Sequence, residues 1–336
     1  MKHLRQLKQV TLSGFVLALL LSFVFTVQLN AQASNANAAD GLQISPTIVE
    51  VNGEKGKSYT VELKLTNVTA SDLTFDSMVN DFSAKDETGT PSVNLDTTKP
   101  STASIREWVN VIGSFTLKAR ETRIVSTTLR IPINAEPGGH YGVIRFSGRT
   151  PELEGSGVGT SASAGTLMLV RVAGAVDEKL DLLTFQTTLD GNPTGFFEYG
   201  PITFAARFEN KGNVHVKPIG QIEIRNIFGN KVDTLEVNAD KGNVLPLSIR
   251  RFDSTLDKRW MFGPYTADIS IAYGTTGQAI VKTITFWVIP YKQLLILIAA
   301  IVTVVFVFRN LIKRYNSYII KRANTPHGNK TKHRKK

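Results

Sequence analysis

The stretch INAEPGGHYGVIRF, Ile133 to Phe146, decides the fold because it joins a tight turn to an alternating run. Proline fixes φ at about −65° and glycine accepts positive φ, so Pro137-Gly138 predicts a turn. With RIVSTTLRIPI before it, the stretch is typical of strand, turn, strand. A ligand loop built on His140 or Tyr141 is the alternative. The two predicted faces of the second strand carry Tyr141, Val143 and Arg145, and His140, Gly142, Ile144 and Phe146.

The same pattern of short alternating runs bounded by turn residues continues from Gly41 to Pro290, which is typical of β-sandwiches. There is also an internal echo. VELKLTNVTASDLTF and TFAARFENKGNVHVKP place Asn67 and Asn210 at matching positions, 143 residues apart. The sequence therefore predicts an all-β fold of two tandem Ig-like β-sandwich domains, residues 40–178 and 179–288, followed by one C-terminal transmembrane α-helix.

The N-terminus has the layout of an export signal. A basic stretch up to Lys8 precedes an apolar run from Val10 to Val27, and Ala31-Gln32-Ala33 supplies the small residues that a signal peptidase needs. We predict a signal peptide at 1–33. Cleavage after Ala36-Asn37-Ala38 and an uncleaved anchor remain alternatives.

The C-terminal end predicts a membrane helix at 289–308, because QLLILIAAIVTVVFVF, Gln293 to Phe308, contains no charge. Trp287 and Tyr291 precede it at the depth of an aromatic belt, and Lys292 reaches the headgroups. A buried core helix is the alternative.

The segment 309–336 carries ten basic residues and no acidic one. This charge predicts a single-pass protein of the cell membrane with an extracellular ectodomain and a cytoplasmic tail that contacts anionic lipid headgroups.

The formal charge of +11 does not predict a nucleic-acid partner, because 13 of the 39 basic residues lie at the two ends. The body of the chain contains the remaining 26 basic residues and 28 acidic residues. It therefore lacks the basic surface that nucleic-acid binding needs. With no cysteine, the exported part depends on core burial alone.

Catalytic motifs are missing from the sequence. The mature ectodomain contains two histidines, His140 and His215, in no metal-ligand spacing, and it has no GxSxG elbow. We therefore predict no catalytic, cofactor or metal residue, and no enzyme. Paired carboxylates brought together from distant strands, as in a carbohydrate-active enzyme, stay open.

Two further features have alternative interpretations. The segment 85–104 is almost devoid of apolar residues and is predicted to be a surface loop or flap. Trp108 fits a core plug, with an exposed contact residue as the alternative.

The segments REWV, FTLKARETRIV, IPINAEPGGHYGVIRF, VLPLSIRRF and FGPYTADISIAYG together resemble the bacterial WxL-interacting surface proteins. The resemblance spans nearly the whole chain. It implies that the first domain binds peptidoglycan and the second a partner surface protein or host ligand. The insert Thr88 to Thr102 departs from the family pattern.

These observations predict a non-enzymatic, membrane-anchored cell-surface protein that binds cell-wall glycan or other surface proteins. Trp108, His140 and Tyr141 are the predicted binding residues. The alternative is a chaperone-like accessory subunit that offers an edge strand to secreted clients by β-augmentation.

Overall fold

The computed structural model describes residues 41–96, 98–99, 101–149 and 162–323. The predicted signal peptide at 1–33 and the last part of the basic tail, 324–336, lie outside these ranges. Within them the chain is mostly β-strand and ends in a long helix.

The first sandwich pairs a three-stranded sheet, in the order β1-β3-β7, with a larger sheet in the order β2-β9-β8-β4-β5, in which β6 also pairs with β4. Strand β2 runs parallel to β9, and the other pairs are antiparallel. Its strands are β1 (Leu42–Ser45), β2 (Ile48–Gly53), β3 (Ser58–Asn67), β4 (Leu73–Ala84), β5 (Pro91–Asn94), β6 (Phe115–Leu117), β7 (Thr122–Arg130), β8 (Gly138–Arg149) and β9 (Ala162–Val172).

The second sandwich pairs a sheet in the order β11-β10-β13-β16 with one in the order β12-β18-β17-β14-β15. Its strands are β10 (Leu180–Leu189), β11 (Asn192–Pro193), β12 (Phe196–Phe197), β13 (Ile202–Asn210), β14 (Ile219–Asn226), β15 (Lys231–Val237), β16 (Ile249–Leu256), β17 (Gly263–Tyr273) and β18 (Gln278–Val288). The segment between β9 and β10 links the two sandwiches and contains the predicted boundary.

Each sandwich has its own hydrophobic core among the described residues. Inward-facing Leu63, Phe75 and Phe146 are fully buried in the first, and Phe204 and Phe286 in the second. Alternation along the strands produces this pattern, because every second side chain points to the core. The predicted all-β fold of two Ig-like β-sandwiches is confirmed.

The opening stretch forms a connection across the sandwich. Strand β7 lies in the small sheet and β8 in the large one, so the turn carries the chain from one sheet to the other and does not close a hairpin. The hydrogen-bonded turn lies at Ile133-Asn134, where the Ala135 amide donates to the Pro132 carbonyl at 3.1 Å, and not at Pro137-Gly138 as predicted. Gly138 is the first residue of β8, with φ +124°, a value that glycine tolerates. The predicted faces hold, because Ile144 and Phe146 belong to the first core whereas Tyr141 contacts His215 of the second sandwich.

The echoed asparagines have the same structural role in both sandwiches. Asn67 at the end of β3 and Asn210 at the end of β13 are fully buried. The Asn67 amide donates to the carbonyls of Ser71, Leu117 and Lys118, and the Asn210 amide donates to those of Val214 and Val244. Each side chain therefore satisfies buried carbonyls of loops that leave the sheets.

The described residues of the segment 85–104 are mostly exposed, as predicted for a surface loop, but residues 91–94 form a strand. Strand β5 pairs with the end of β4, from Asp81 opposite Asn94 to Ala84 opposite Pro91. Pro91 is tolerated because it begins the strand.

Helix α1 spans Tyr291–Ala323 and follows β18 after two residues. It is long and apolar enough over Tyr291–Ser317 to cross a membrane. It begins two residues after the predicted start, because Pro290 suits the turn that precedes a helix. It continues beyond 308 because the Lys, Arg, Leu and Ile residues of the basic segment favour helix.

Asn210→Ala should lower the free energy of unfolding by about 2 to 4 kcal/mol, because it leaves two buried carbonyls without their donor. Urea unfolding of the full chain in detergent measures the change. Asn134→Ala, at an exposed position, is the matched control. Equal unfolding midpoints for the two variants would contradict this role.

Candidate functional site

The start of β8, at Pro137-Gly138-Gly139, contacts the second sandwich. The Gly139 amide donates to the carbonyl of Asn213 at 2.8 Å. The Asn213 carboxamide oxygen accepts from the Asp177 amide at 2.8 Å, and the Asn213 amide donates back to the Asp177 carbonyl at 3.0 Å. One residue of the second sandwich therefore binds both the start of β8 and the linker.

Two residues further along β8, Tyr141 contacts His215. The His215 amide donates to the phenol oxygen at 2.9 Å, and the phenol lies 3.3 Å from His215 Nδ1. Burial raises the pKa of Tyr141 above its usual value, and burial lowers the pKa of His215 to about 4. The histidine is therefore neutral at pH 7, and its Nδ1 can accept the phenol proton.

Glu50 on β2 forms the second contact. Its carboxylate accepts from Lys217 at 3.0 Å and from Asn243 at 2.7 Å. Burial alone would raise its pKa, but the hydrogen bonds from Asn243 and Lys217 outweigh burial and hold the pKa below its ordinary value. The carboxylate therefore stays charged and binds two separate loops of the second sandwich.

The tip of the β4–β5 hairpin forms a third contact. Glu87 accepts a bidentate pair of hydrogen bonds from Arg207, and its carbonyl accepts from the Arg251 amide at 2.7 Å. Gly89 has φ +81°, and an added Cβ would lie 2.3 Å from the Arg250 guanidinium. The segment 85–104, predicted to be a surface loop or flap, therefore binds the second sandwich through Glu87.

The linker itself is fixed by Glu178. One carboxylate oxygen pairs with Arg171 at 2.5 Å, and the other accepts from the Thr275 amide at 2.7 Å. This residue joins the last strand of the first sandwich to the β17–β18 hairpin of the second. The domains thus meet at one end of the second sandwich.

Between these contacts lies a cleft with two lobes, of about 720 Å³ and about 290 Å³. Phe82 and Leu245 line both lobes. Hydroxyl and carboxamide groups share the larger lobe with apolar side chains, whereas Leu167 and Leu169 line the smaller one. A cleft of this size and mixed lining at a domain interface suits a bound ligand.

Leu247 is unusual at the rim of the larger lobe. Its backbone has φ +56°, which is strained for a leucine, and its side chain is 89% exposed. The Leu247 amide donates to the Asn210 carbonyl at 2.8 Å, and Ser248 Oγ binds the Leu245 carbonyl. The loop therefore holds an apolar side chain in solvent at the mouth of the cleft, and strain of this kind occurs often at ligand-binding sites.

The structure brings the three predicted binding residues close together. Trp108 is half-buried and packs against the first core, with its ring 4.4 Å from that of His140. His140 is buried, and its Nε2–H donates to the Glu136 carbonyl at 2.9 Å. His140 and Tyr141 line the cleft wall. Their part in binding stays a prediction.

The cleft and the contacts around it include residues that the sequence did not reveal. Asn213 and Leu247 lie in loops of the second sandwich, and Glu87 is in the polar insert. Asn213 could have been suspected from its position beside the echoed Asn210. Leu247 gave no signal, because a leucine in a sequence does not predict a positive φ.

No family model matches the chain, and no curated protein matches it. Solved structures of similar arrangement include the class 5 fimbriae chaperone CfaA, at 10% identity and a TM-score of 0.37 over 72% of this chain and 98% of that chain. The E. coli chaperone DraB has 14% identity and a TM-score of 0.34, over 73% of this chain and 96% of that chain. The Pseudomonas aeruginosa chaperone CupB2 has 11% identity and a TM-score of 0.32, over 73% of this chain and 100% of that chain. Similarities this weak assign neither ligand nor partner to this chain.

Acid should weaken the contact between the sandwiches through His215. Its pKa is about 4 when folded and 6.5 ordinarily, so the unfolded chain takes up a proton first as pH falls. The contribution is complete above pH 6.5, is lost down to about pH 4, and amounts to at most about 3 kcal/mol.

Urea unfolding of the full chain in detergent between pH 7.5 and 4 measures this loss. His215→Gln should flatten the decline in that window, while the carboxylates Glu50 and Glu178 continue to titrate below it. An identical pH profile for wild type and variant would refute the assignment.

Gly138→Ala should destabilise the interface by about 1 to 3 kcal/mol, because φ is +124° and the new Cβ would lie 2.8 Å from the Asn213 carbonyl oxygen. Hydrogen exchange at the Gly139 amide should accelerate accordingly. Gly113→Ala is the control, since a Cβ there meets nothing within 4 Å. Unchanged exchange at Gly139 would contradict the prediction.

Proposed function

We propose that this protein is a non-enzymatic, membrane-anchored cell-surface protein that binds another surface protein at the cleft between its two sandwiches. Helix α1 anchors it, the basic residues after 308 keep the C-terminus in the cytoplasm, and the ectodomain faces outward. Contact of that tail with anionic lipid headgroups belongs to the same proposal.

The observation that carries the proposal is Leu247. An 89% exposed leucine at φ +56° has a cost in the free chain and no packing gain there. A partner that covers it supplies the missing burial, worth about 1.5 to 3 kcal/mol for a leucine side chain. Aliphatic groups at the rim and in the smaller lobe favour a polypeptide over a sugar, whose flat apolar faces pack best on exposed aromatic rings.

The chain is clamped around the cleft by four separate contacts, which involve Glu50, Glu87, Tyr141 and Asn213. A preformed site of this kind binds without first having to order its own walls, which lowers the entropic cost of association. Cell-wall glycan, which the WxL-interacting resemblance implies for the first domain, is the competing ligand.

Leu247→Gly separates binding from folding. Glycine accepts positive φ, so the variant should be as stable as wild type or up to about 1 kcal/mol more stable. Binding to surface proteins extracted from the source cells should fall at least tenfold. Purified full-length protein in nanodiscs is used with those proteins and, separately, with purified peptidoglycan. Leu183→Gly, at an exposed strand position away from the cleft, is the matched control for loss of an apolar side chain.

Protein binding lost in Leu247→Gly but not in the control supports the proposal. Binding to peptidoglycan alone would replace the protein partner with a glycan. Equal protein binding by wild type and Leu247→Gly would overturn the role of the cleft.

A chaperone-like role by β-augmentation is the second candidate, and one observation favours it. Strand β2 pairs with β9 only from Leu167 onward, and among the described residues no strand pairs with the outer edge of β9 between 162 and 166. An unpaired edge can accept an extended peptide. Saturable binding of strand-forming peptides that Leu247→Gly leaves unchanged would favour this candidate.

A further inference from the structure

The end of the second sandwich from which helix α1 leaves is a distinct surface. Strand β18 ends there, β12 runs beside it with Phe196 opposite Trp287, and β17 begins with Gly263 opposite Val288. The β14–β15 turn lies at the same end, because Asn226 is opposite Tyr265. The loops 198–201, 227–230 and 257–262 therefore surround the start of the helix.

These loops and strand ends expose large apolar side chains. Phe228 is 84% exposed, Trp260 72% and Phe262 67%. An apolar group of this size at one end of a domain marks an interaction surface. We call it the apolar collar, and it consists of Phe196, Tyr199, Ile227, Phe228, Trp260, Phe262, Trp287 and Tyr291.

The collar is fixed relative to the helix. Glu198 pairs with Lys292 in the first turn of α1 at 2.7 Å, and the Gly200 amide donates to the Arg259 carbonyl at 3.2 Å. The Arg259 guanidinium lies 5.8 Å from the Tyr199 ring centroid and 6.0 Å from that of Trp260. Loops 198–201 and 257–262 therefore form one platform beside the helix start.

The connection to the helix leaves little freedom. Val288 is fully buried in the second core, and only Ile289 and Pro290 separate it from Tyr291. Two extended residues span about 7 Å, and the interfacial layer of a bilayer is about 5 to 8 Å thick on each side. A membrane crossed by α1 must therefore lie against the collar.

We propose that the apolar collar docks into the headgroup layer of the bilayer that α1 crosses, a role that rests on the proposed membrane anchoring. Tryptophan and tyrosine favour this layer because one end of each side chain is apolar and the other polar. Arg259 meets anionic headgroups from among the rings, whereas Glu198 and Asp233 are paired with Lys292 and Lys258. Four stretches of the second sandwich thus share the anchoring with the helix.

The test measures the contact of Trp260 with lipid in the full chain. The protein is placed in nanodiscs containing phosphatidylglycerol and a phosphatidylcholine brominated near the glycerol end of its acyl chains, and tryptophan emission is compared with that in unbrominated nanodiscs. The chain has three tryptophans, so the emission lost in Trp260→Phe isolates that residue. Bromine should quench at least half of it.

The matched control moves the tryptophan. Trp260→Phe combined with Ile133→Trp places a ring at an 81% exposed position of the first sandwich, and bromine should quench less than a tenth of its emission. Equal thermal midpoints for all three proteins show that the substitutions leave the fold intact.

The remaining outcomes separate docking from anchoring. Quenching of Trp287 without quenching of Trp260 would leave the anchor in place and overturn docking, and it would point to a second copy or another protein over the collar. A chain that does not enter nanodiscs, with neither residue quenched, would overturn both the anchor and the docking.

Discussion

The buried side chain of Asn210 is the constraint on which the organisation of this molecule depends. Its amide satisfies carbonyls in two loops of the second sandwich, and its backbone carbonyl holds the amide of Leu247. Those loops supply Asn213 and His215 on one side of the cleft and Asn243 on the other. Without this residue the second sandwich would keep its core, but the end that contacts the first sandwich would lose its shape.

The sequence contained much of the fold because two-residue alternation and turn chemistry are local properties. The faces of β8 and the equivalence of Asn67 and Asn210 could be predicted from short segments, whereas the turn before β8 was predicted at Pro137-Gly138 and lies at Ile133-Asn134. The crossing of the 133–138 segment between sheets could not, because strand order depends on packing of distant elements. The contact of the insert with the second sandwich was missed for a similar reason: Glu87 binds Arg207 across 120 residues, and polar composition alone does not distinguish a free loop from one that binds another domain.

The candidate site was harder to predict than the fold. Rare residue types directed attention to His140, Tyr141 and Trp108, and the structure does place all three near the cleft. Their side chains mainly pack and hold the turn, however, whereas the exposed group at the rim is an ordinary leucine. Its distinction is a backbone angle, which no composition or spacing encodes. A signal did exist for the collar, since Trp260 and Phe262 lie beside Lys258 and Arg259 in the sequence, but it acquires meaning only when the strand ends converge on the helix.

The two-residue connection between β18 and α1 also determines how the molecule carries mechanical load. The first sandwich joins the second through the start of β10 at one end, and α1 leaves through the end of β18 at the other. In the proposed arrangement, a pull between a partner at the cleft and the membrane would therefore act along the strand axes. Ladder hydrogen bonds run across those axes, so the eight residue pairs of β10 with β13 and the eleven of β17 with β18 are loaded together in shear. These hydrogen bonds cannot then break one pair at a time, and under the proposed anchoring the second sandwich would carry tension between a bound partner and the membrane.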